Sequence, residues 1–148
     1  MSGQVTVRAM TLSDVPRCVT LLNQLGYAMD AEVLADRLRV VQDSPGHAVM
    51  VSVFGEEVVG VLHVFQRPAI EKPTEAVVQS LVIDETRRGL GLGRRLMAAA
   101  ESWAREHGLS SVSLASHERR TDAHAFYTAL GYENTDTSKF FRRTLGPC

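Results

Sequence analysis

Apolar and polar residues alternate through "QVTVRAM", the two-residue period of a strand. The period then lengthens. In "LSDVPRCVTLLNQLG", Val15, Cys18/Val19, Leu22 and Leu25 recur at helical spacing, with Thr11 or Ser13 as cap and Gly26 as stop. Asp30 caps a second helix, "AEVLADRLRVVQD", closed by "SPG". "HAVMVSVFGEEVVGVLHVFQR" reads as a hairpin of two apolar strands around Gly55, Glu56 and Glu57, and "PAIEKP" as a loop. "EAVVQSLVID" is a buried strand, followed by the glycine run "RRGLGLGRR". "GRRLMAAAESWAREHG" is a helix with Leu96, Ala99/Ala100 and Trp103 on one side. "LSSVSLAS" is a strand, "HERR" a loop, and "TDAHAFYTALG" a helix with Thr121 or Asp122 as cap and Gly131 as stop. "YENTDTSKFFRRTL" supplies one or two closing strands. The order β-α-α-β-β-β-α-β-α-β-β describes a mixed α/β (α+β) domain over residues 1–148, without repeat, low-complexity tract or linker.

Composition narrows the function classes. The 148 residues suffice for one domain with a real core. A net charge of −1 gives no global basic field for nucleic acid. No apolar run has the length of a membrane span, and "MSGQVTVRAM" lacks the apolar stretch of a signal peptide. Cys18 and Cys148 carry no metal spacing; Cys18 falls on an apolar helix side. A reducing, cytoplasmic setting with no metal is expected.

The glycine run raises the chemical question. Gly89, Gly91 and Gly93 stand at alternate positions between paired arginines, after a buried strand and before a helix. Free N–H groups and the positive dipole end at a helix N-terminus favour phosphate. A nucleotide-hydrolase phosphate loop needs GxxxxGK[ST], and no Lys-Ser/Thr follows these glycines. A dinucleotide fingerprint needs GxGxxG, and its third glycine falls on Arg94 or Leu96 in the two registers available. The pattern [QR]xxGx[GA] is met, as Arg88-Gly89-Leu90-Gly91-Leu92-Gly93.

That pattern resembles the acetyl-CoA pyrophosphate loop of the GNAT superfamily of N-acetyltransferases. "LVIDETRRGLGLGRRLM" resembles the superfamily's strand-loop-helix motif, and "DAHAFYTALGYE" its second signature, with the strand "SVSLAS" between them. The element order matches over essentially the whole chain. A narrower resemblance is to aminoalkylphosphonate N-acetyltransferases, through Asp-Ala-His-x-Phe-Tyr. The resemblance implies a single, mostly antiparallel sheet with a splayed central strand pair, acetyl-CoA as cosubstrate and direct transfer to an amine. It assigns Leu81, Val82 and Ile83 to main-chain pairing with the pantetheine arm. Arg88, Gly89, Leu90, Gly91, Leu92, Gly93 and Arg94 are assigned to the pyrophosphate. Helical spacing alone makes Tyr127 a core tyrosine, whereas the motif makes it the general acid that protonates the leaving thiolate.

The base stays open between Glu75, His117, Glu118, His124 and a water relay. Some superfamily members have an acidic residue where this chain has Ser80, and many have Asn where it has Arg120. Acceptor segments implied by the resemblance are "QLGYAMDAE", "QRPAIEKP" and "NTDTSKFF", containing Tyr27, Glu32, Glu71 and Lys72. The leading expectation is an N-acetyltransferase acting on a small primary amine, with no nucleic-acid or membrane partner; a homodimer is compatible with it. The competing readings are a protein or peptide N-acetyltransferase and a non-catalytic acyl-CoA-binding module.

Overall fold

The structure, a computed structural model, describes residues 4–116 and 120–147. It forms two compact units, meeting in the sequence at Ala115/Ser116. The first unit holds β1 (Val5–Ala9), α1 (Val15–Gln24), α2 (Ala31–Gln42), β2 (His47–Phe54), β3 (Glu57–Arg67), β4 (Glu75–Ile83), α3 (Leu92–Glu106) and β5 (Val112–Leu114). The second holds α4 (Thr121–Ala129).

The five strands form one sheet in the order β1-β2-β3-β4-β5. Every ladder is antiparallel except β4–β5, which is parallel. Two bulges shape it. Val59 is the extra residue of β3 opposite Ser52/Val53, and Gln79 is the extra residue of β4 opposite His63/Val64. One residue inserted into a strand exchanges the faces of everything beyond it.

Val51, Val61 and Val82 pack on one sheet face with Val15, Cys18 and Leu21 of α1 and Leu38 of α2. Alternation from Val61 and Val82 places His63 and Ser80 on this same face. The opposite face carries α3; a Cβ added at Gly60 would come within 3.0 Å of Leu96 Cδ1. Leu92, Leu96, Met97, Ala100 and Ala104 form the buried stripe of α3. Their spacing repeats the helical pattern of the sequence.

Some local expectations are corrected. Neither Thr11 nor Ser13 caps α1; a 3-10 turn, Leu12–Asp14, precedes it. Asp14 is buried there, accepts the Thr11 N–H at 2.8 Å and meets the Arg8 guanidinium at 2.8 and 2.9 Å. Asp30 does cap α2, accepting from the Val33 N–H at 2.9 Å. Thr121 is the first helical residue of α4 and Asp122 lies in its first turn, so neither is the cap.

The closing strands expected over "YENTDTSKFFRRTL" are not formed, since no residue between 132 and 147 joins a ladder. A strand persists only where a neighbour takes its N–H and C=O groups. Here the side chains are exposed too: Phe140, Phe141 and Leu145 are 84%, 87% and 80% exposed. Among the described residues, no helix is long and apolar enough to cross a membrane.

Candidate active site

The site begins where β5 leaves β4. The parallel ladder has three rungs, Ala76↔Val112, Val77↔Ser113 and Val78↔Leu114. Beyond them β4 continues through the bulged Gln79 to Ile83. On one side it still pairs with β3, as Ser80↔His63, Leu81↔Leu62, Val82↔Val61 and Ile83↔Gly60. On the other side it has no β5 partner. This is the splay expected between the two strands. It leaves a short row of main-chain groups on β4 open to an extended ligand.

The end of that edge is fixed electrostatically. Asp84, only 3% exposed, donates its N–H to the Val59 carbonyl at 2.8 Å. Its carboxylate accepts from the Thr86 N–H at 3.0 Å and hydroxyl at 2.9 Å, from Gln24 at 3.3 Å, and from the Arg17 guanidinium. Burial pushes the Asp84 pKa up, but these donors outweigh it and hold the group down at about 2. Arg17 also donates to the Val58 carbonyl at 2.8 Å and to Glu57 at 2.9 Å. Glu57 in turn meets Arg87 at 3.6 Å, and Arg87 lies over the Phe54 ring at 5.2 Å. The strand end and the loop after it are thereby tied to α1 and to the β2–β3 hairpin.

The loop then turns into α3 through two left-handed residues, Gly89 at φ +85° and Gly91 at φ +74°. Among the described residues, a Cβ at either would meet nothing within 4 Å beyond its own neighbours in the chain. The glycines are therefore required by backbone conformation, and the space above them is open. Gly91 is the N-cap of α3 and makes no side-chain cap hydrogen bond; Arg95 N–H donates to Gly91 O at 3.1 Å. The amides of Leu92, Gly93 and Arg94 precede that first bond and have no intrahelical partner. The first turn contains no acidic residue. Instead it carries the exposed Arg94 and Arg95, unfavourable beside a positive dipole end unless an anion is near. Arg88 and Leu90 are exposed beside them.

Glu75, one of the candidate bases, is already engaged. Arg67 meets it at 2.6 Å, Lys72 at 3.3 Å and the Ser111 hydroxyl at 3.4 Å. Burial raises its pKa, but Arg67, Lys72 and Ser113 lower it further than burial raises it. A carboxylate held ionised in this way is a weak proton acceptor, so Glu75 reads as a lock between β3 and β4. His117 and Glu118 lie outside the described residues. His124 sits on α4, half-buried.

Two histidines that sequence reasoning passed over face each other on β2 and β3. His47 Nδ1 and His63 Nε2 are 2.9 Å apart. Phe65 stacks on His47 with centroids 5.1 Å apart and planes 9° apart. A regular hairpin register continued from Phe54↔Glu57 would put these histidines on opposite faces. The Val59 bulge shifts the register to His47↔Phe65 and Val49↔His63, and brings both to one face. Alternation counted through an unmarked bulge cannot reveal such a pair.

In the second unit, Tyr127 is half-buried on α4. It lies edge-on to Phe126 at 5.1 Å and to Tyr132 at 6.2 Å, and its carbonyl accepts the Tyr132 N–H at 3.0 Å. Burial raises the phenol's pKa and Arg120 opposes the shift. The net effect keeps the proton on the oxygen at neutral pH, as a proton donor requires.

An open strand edge running into an uncapped helix start, with left-handed glycines between, defines an acyl-CoA-type binding architecture. Residues 20–132 match the Acetyltransferase (GNAT) family. The chain belongs to that family and is an acetyl-CoA-dependent N-acetyltransferase. It is 28% identical over 147 residues to aminoglycoside N(6')-acetyltransferase type 1 of Stenotrophomonas maltophilia, covering 96% of this chain and 95% of that one. It is 29% identical over 119 residues to the aminoalkylphosphonate N-acetyltransferase of Salmonella typhimurium, covering 80% of this chain and 75% of that one. Among solved structures, it resembles an aminoglycoside N-acetyltransferase in complex with CoA. That match has a TM-score of 0.86 at 16% identity and covers 96% of each chain.

Proposed function

We propose that this protein transfers the acetyl group of acetyl-CoA directly to a primary amine of a small molecule, residues 1–148 working as one catalytic domain in the cytoplasm. The observation that carries the reading is the continuity of the open β4 edge with the glycine turn and the uncapped start of α3. In this reading the main chain of Leu81, Val82 and Ile83 pairs with the pantetheine arm. The amides of Gly89, Leu90, Gly91, Leu92, Gly93 and Arg94 receive the pyrophosphate, and Arg88 adds charge. Tyr127 protonates the departing thiolate; a phenol with an ordinary pKa of about 10 matches a thiolate in basicity.

The similarity to an aminoglycoside N(6')-acetyltransferase over nearly the full length of both chains supports an aminoglycoside-type amine as acceptor. The aminoalkylphosphonate relative supplies the second class to test. The experiment is a thiol-release assay with acetyl-CoA over aminoglycosides, aminoalkylphosphonates, simple diamines and N-terminal peptides. Turnover of the small amines supports the reading. Turnover of peptides with silence on every small amine replaces it with protein acetylation. CoA binding without turnover of any acceptor leaves a binding module.

A further inference from the structure

We infer that His63, oriented by His47, is the group that takes the proton from the acceptor's ammonium before it attacks the thioester. The inference rests on the acetyl-transfer reading above. A CoA molecule held by its pyrophosphate at the start of α3 lays its arm along β4 from Ile83 toward Gln79. The open stretch, Gln79 to Ile83, spans roughly 13 Å at about 3.3 Å per residue step. The thioester is at the arm's far end. It therefore falls near Gln79 and Ser80, where β5 rejoins β4 and closes the gap.

Ser80 is the cross-strand partner of His63. Directly opposed side chains share a face and lie about 5 Å apart at Cβ. The other face is closed at this level, where Val64 and Val78 are buried. His63 is only half-buried, so an amine reaching the thioester has access on its face.

The pair has the chemistry for the step. At 2.9 Å, one proton shared between His47 Nδ1 and His63 Nε2 makes the hydrogen bond, and either ring can donate it. When it resides on His63 Nε2, the lone pair of His63 Nδ1 is free, and that nitrogen has no hydrogen-bond partner among the described residues. Proton uptake there produces an imidazolium whose Nε2–H donates to His47 Nδ1. Burial first, and His47 second, lower the pKa of His63, so it is neutral and ready to accept near pH 7. The groups facing it are His47 from β2 and the Ser80 hydroxyl from β4. Arg67 and Glu75 stand further along the same face and pair with each other. The side chains that α1 and α2 pack on this face are apolar apart from the Cys18 thiol, whose pKa burial pushes up to about 12 and which is so kept neutral.

The step balances. His63 takes one proton from R–NH3⁺. The amine nitrogen then bonds to the acetyl carbon as the carbon–sulfur bond breaks. The second amine proton passes to solvent, the thiolate takes one proton from Tyr127, which solvent restores, and His63 returns its proton to solvent, giving the amide, CoA–SH and one net proton. His63 is the catalytic residue here and His47 a positioning residue.

The test uses the full chain with an amine that wild type acetylates. His63→Asn and His63→Gln should lower kcat on the order of 10²-fold or more, the scale of acid–base catalysis, with CoA affinity by calorimetry and circular dichroism unchanged. The loss should shrink as pH rises and the amine deprotonates unaided. His47→Asn should lower kcat by less than the His63 variants do and displace the acid limb of the pH–rate profile. Folded His63 variants with wild-type kcat and an unchanged profile, where chemistry limits the rate, would place the base elsewhere. A CoA affinity that falls as far as kcat would also overturn the assignment, because His63 would then be structural. If wild type itself neither binds CoA nor releases thiol, it is the acetyl-transfer reading that fails.

Discussion

The guanidinium of Arg17, in the first turn of α1, grips the carboxylate of Asp84 just past the end of β4, across a sequence separation of 67 residues. Asp84 is almost fully buried, and Arg17 is its charged partner. The pair fixes the point at which the open strand edge becomes the glycine loop. Arg17→Met keeps the aliphatic stem and leaves a buried carboxylate without its counter-charge. We expect a loss of about 3 kcal/mol, the usual cost of breaking a buried pair from one side. Urea unfolding followed by circular dichroism measures it. A change within about 0.5 kcal/mol, the range of neutral surface substitutions, would show that Thr86 and Gln24 suffice.

The same carboxylate sets an acid limit. Its pKa is about 2 in the folded protein against an ordinary value of 3.8. A group whose pKa is depressed by folding contributes stability above its unfolded value. That contribution is lost as pH falls through its folded value. Stability attributable to Asp84 is therefore complete above about pH 5 and disappears between about pH 4 and pH 2. Its size is about 2 kcal/mol, from roughly two pKa units. Unfolding free energies of wild type and Asp84→Asn should differ at pH 6 and converge toward pH 2. Parallel curves over that range would contradict the linkage.

Glu75 should be dispensable for chemistry. Its carboxylate is held by Arg67 and Lys72, which favours the ionised form and opposes proton uptake. Glu75→Gln is expected to cost some stability through the β3–β4 lock and to leave kcat within about threefold, well below the 10²-fold scale of a lost base. A kcat loss of that larger scale with normal folding would restore Glu75 as the proton acceptor.

Tyr127→Phe keeps the ring and its edge contacts with Phe126 and Tyr132 and removes the proton. If the phenol protonates the thiolate, kcat should fall about 10²-fold while CoA affinity changes little. A leaving group less basic than the CoA thiolate should narrow the gap between variant and wild type. Steady-state and single-turnover rates together provide the measurement, and equal single-turnover rates would return Tyr127 to a packing role.

How far the sequence discloses the site depends on how local the determinant is. "LVID" followed by alternating glycines is a contiguous signal, and the strand, loop and helix lie where it puts them. The network around Asp84 joins residues distant in the chain, and no spacing announces Arg17 or Gln24 as its partners. The His47–His63 pair depends on one extra residue, Val59, which moves half of β3 to the other face. The tail after α4 has strand-forming residues, but propensity without a ladder partner makes no strand.

Gly91 offers the most direct test of the anion site, and its backbone conformation determines how the test is built. At φ +74° it is left-handed, so any L side chain adds strain whatever ligand is present. Gly91→Asn tolerates that conformation best, and Gly91→Ala adds strain of about 1 kcal/mol without charge. Among the described residues, nothing beyond the neighbouring backbone lies within 4 Å of either new Cβ, so no internal clash confuses the comparison. Gly91→Glu adds the same strain, greater bulk and a negative charge at the open start of α3. If main-chain amides there receive a pyrophosphate, CoA affinity should fall least for Asn, more for Ala, and at least about tenfold further for Glu, or about 1.4 kcal/mol. Added salt should narrow the Glu–Ala difference, because screening weakens repulsion between exposed charges. Calorimetric titration with CoA, with circular dichroism as the folding control, reads all three. A folded Gly91→Glu that binds CoA as tightly as Gly91→Ala would mean that the phosphates lie elsewhere and that the glycines serve the turn alone.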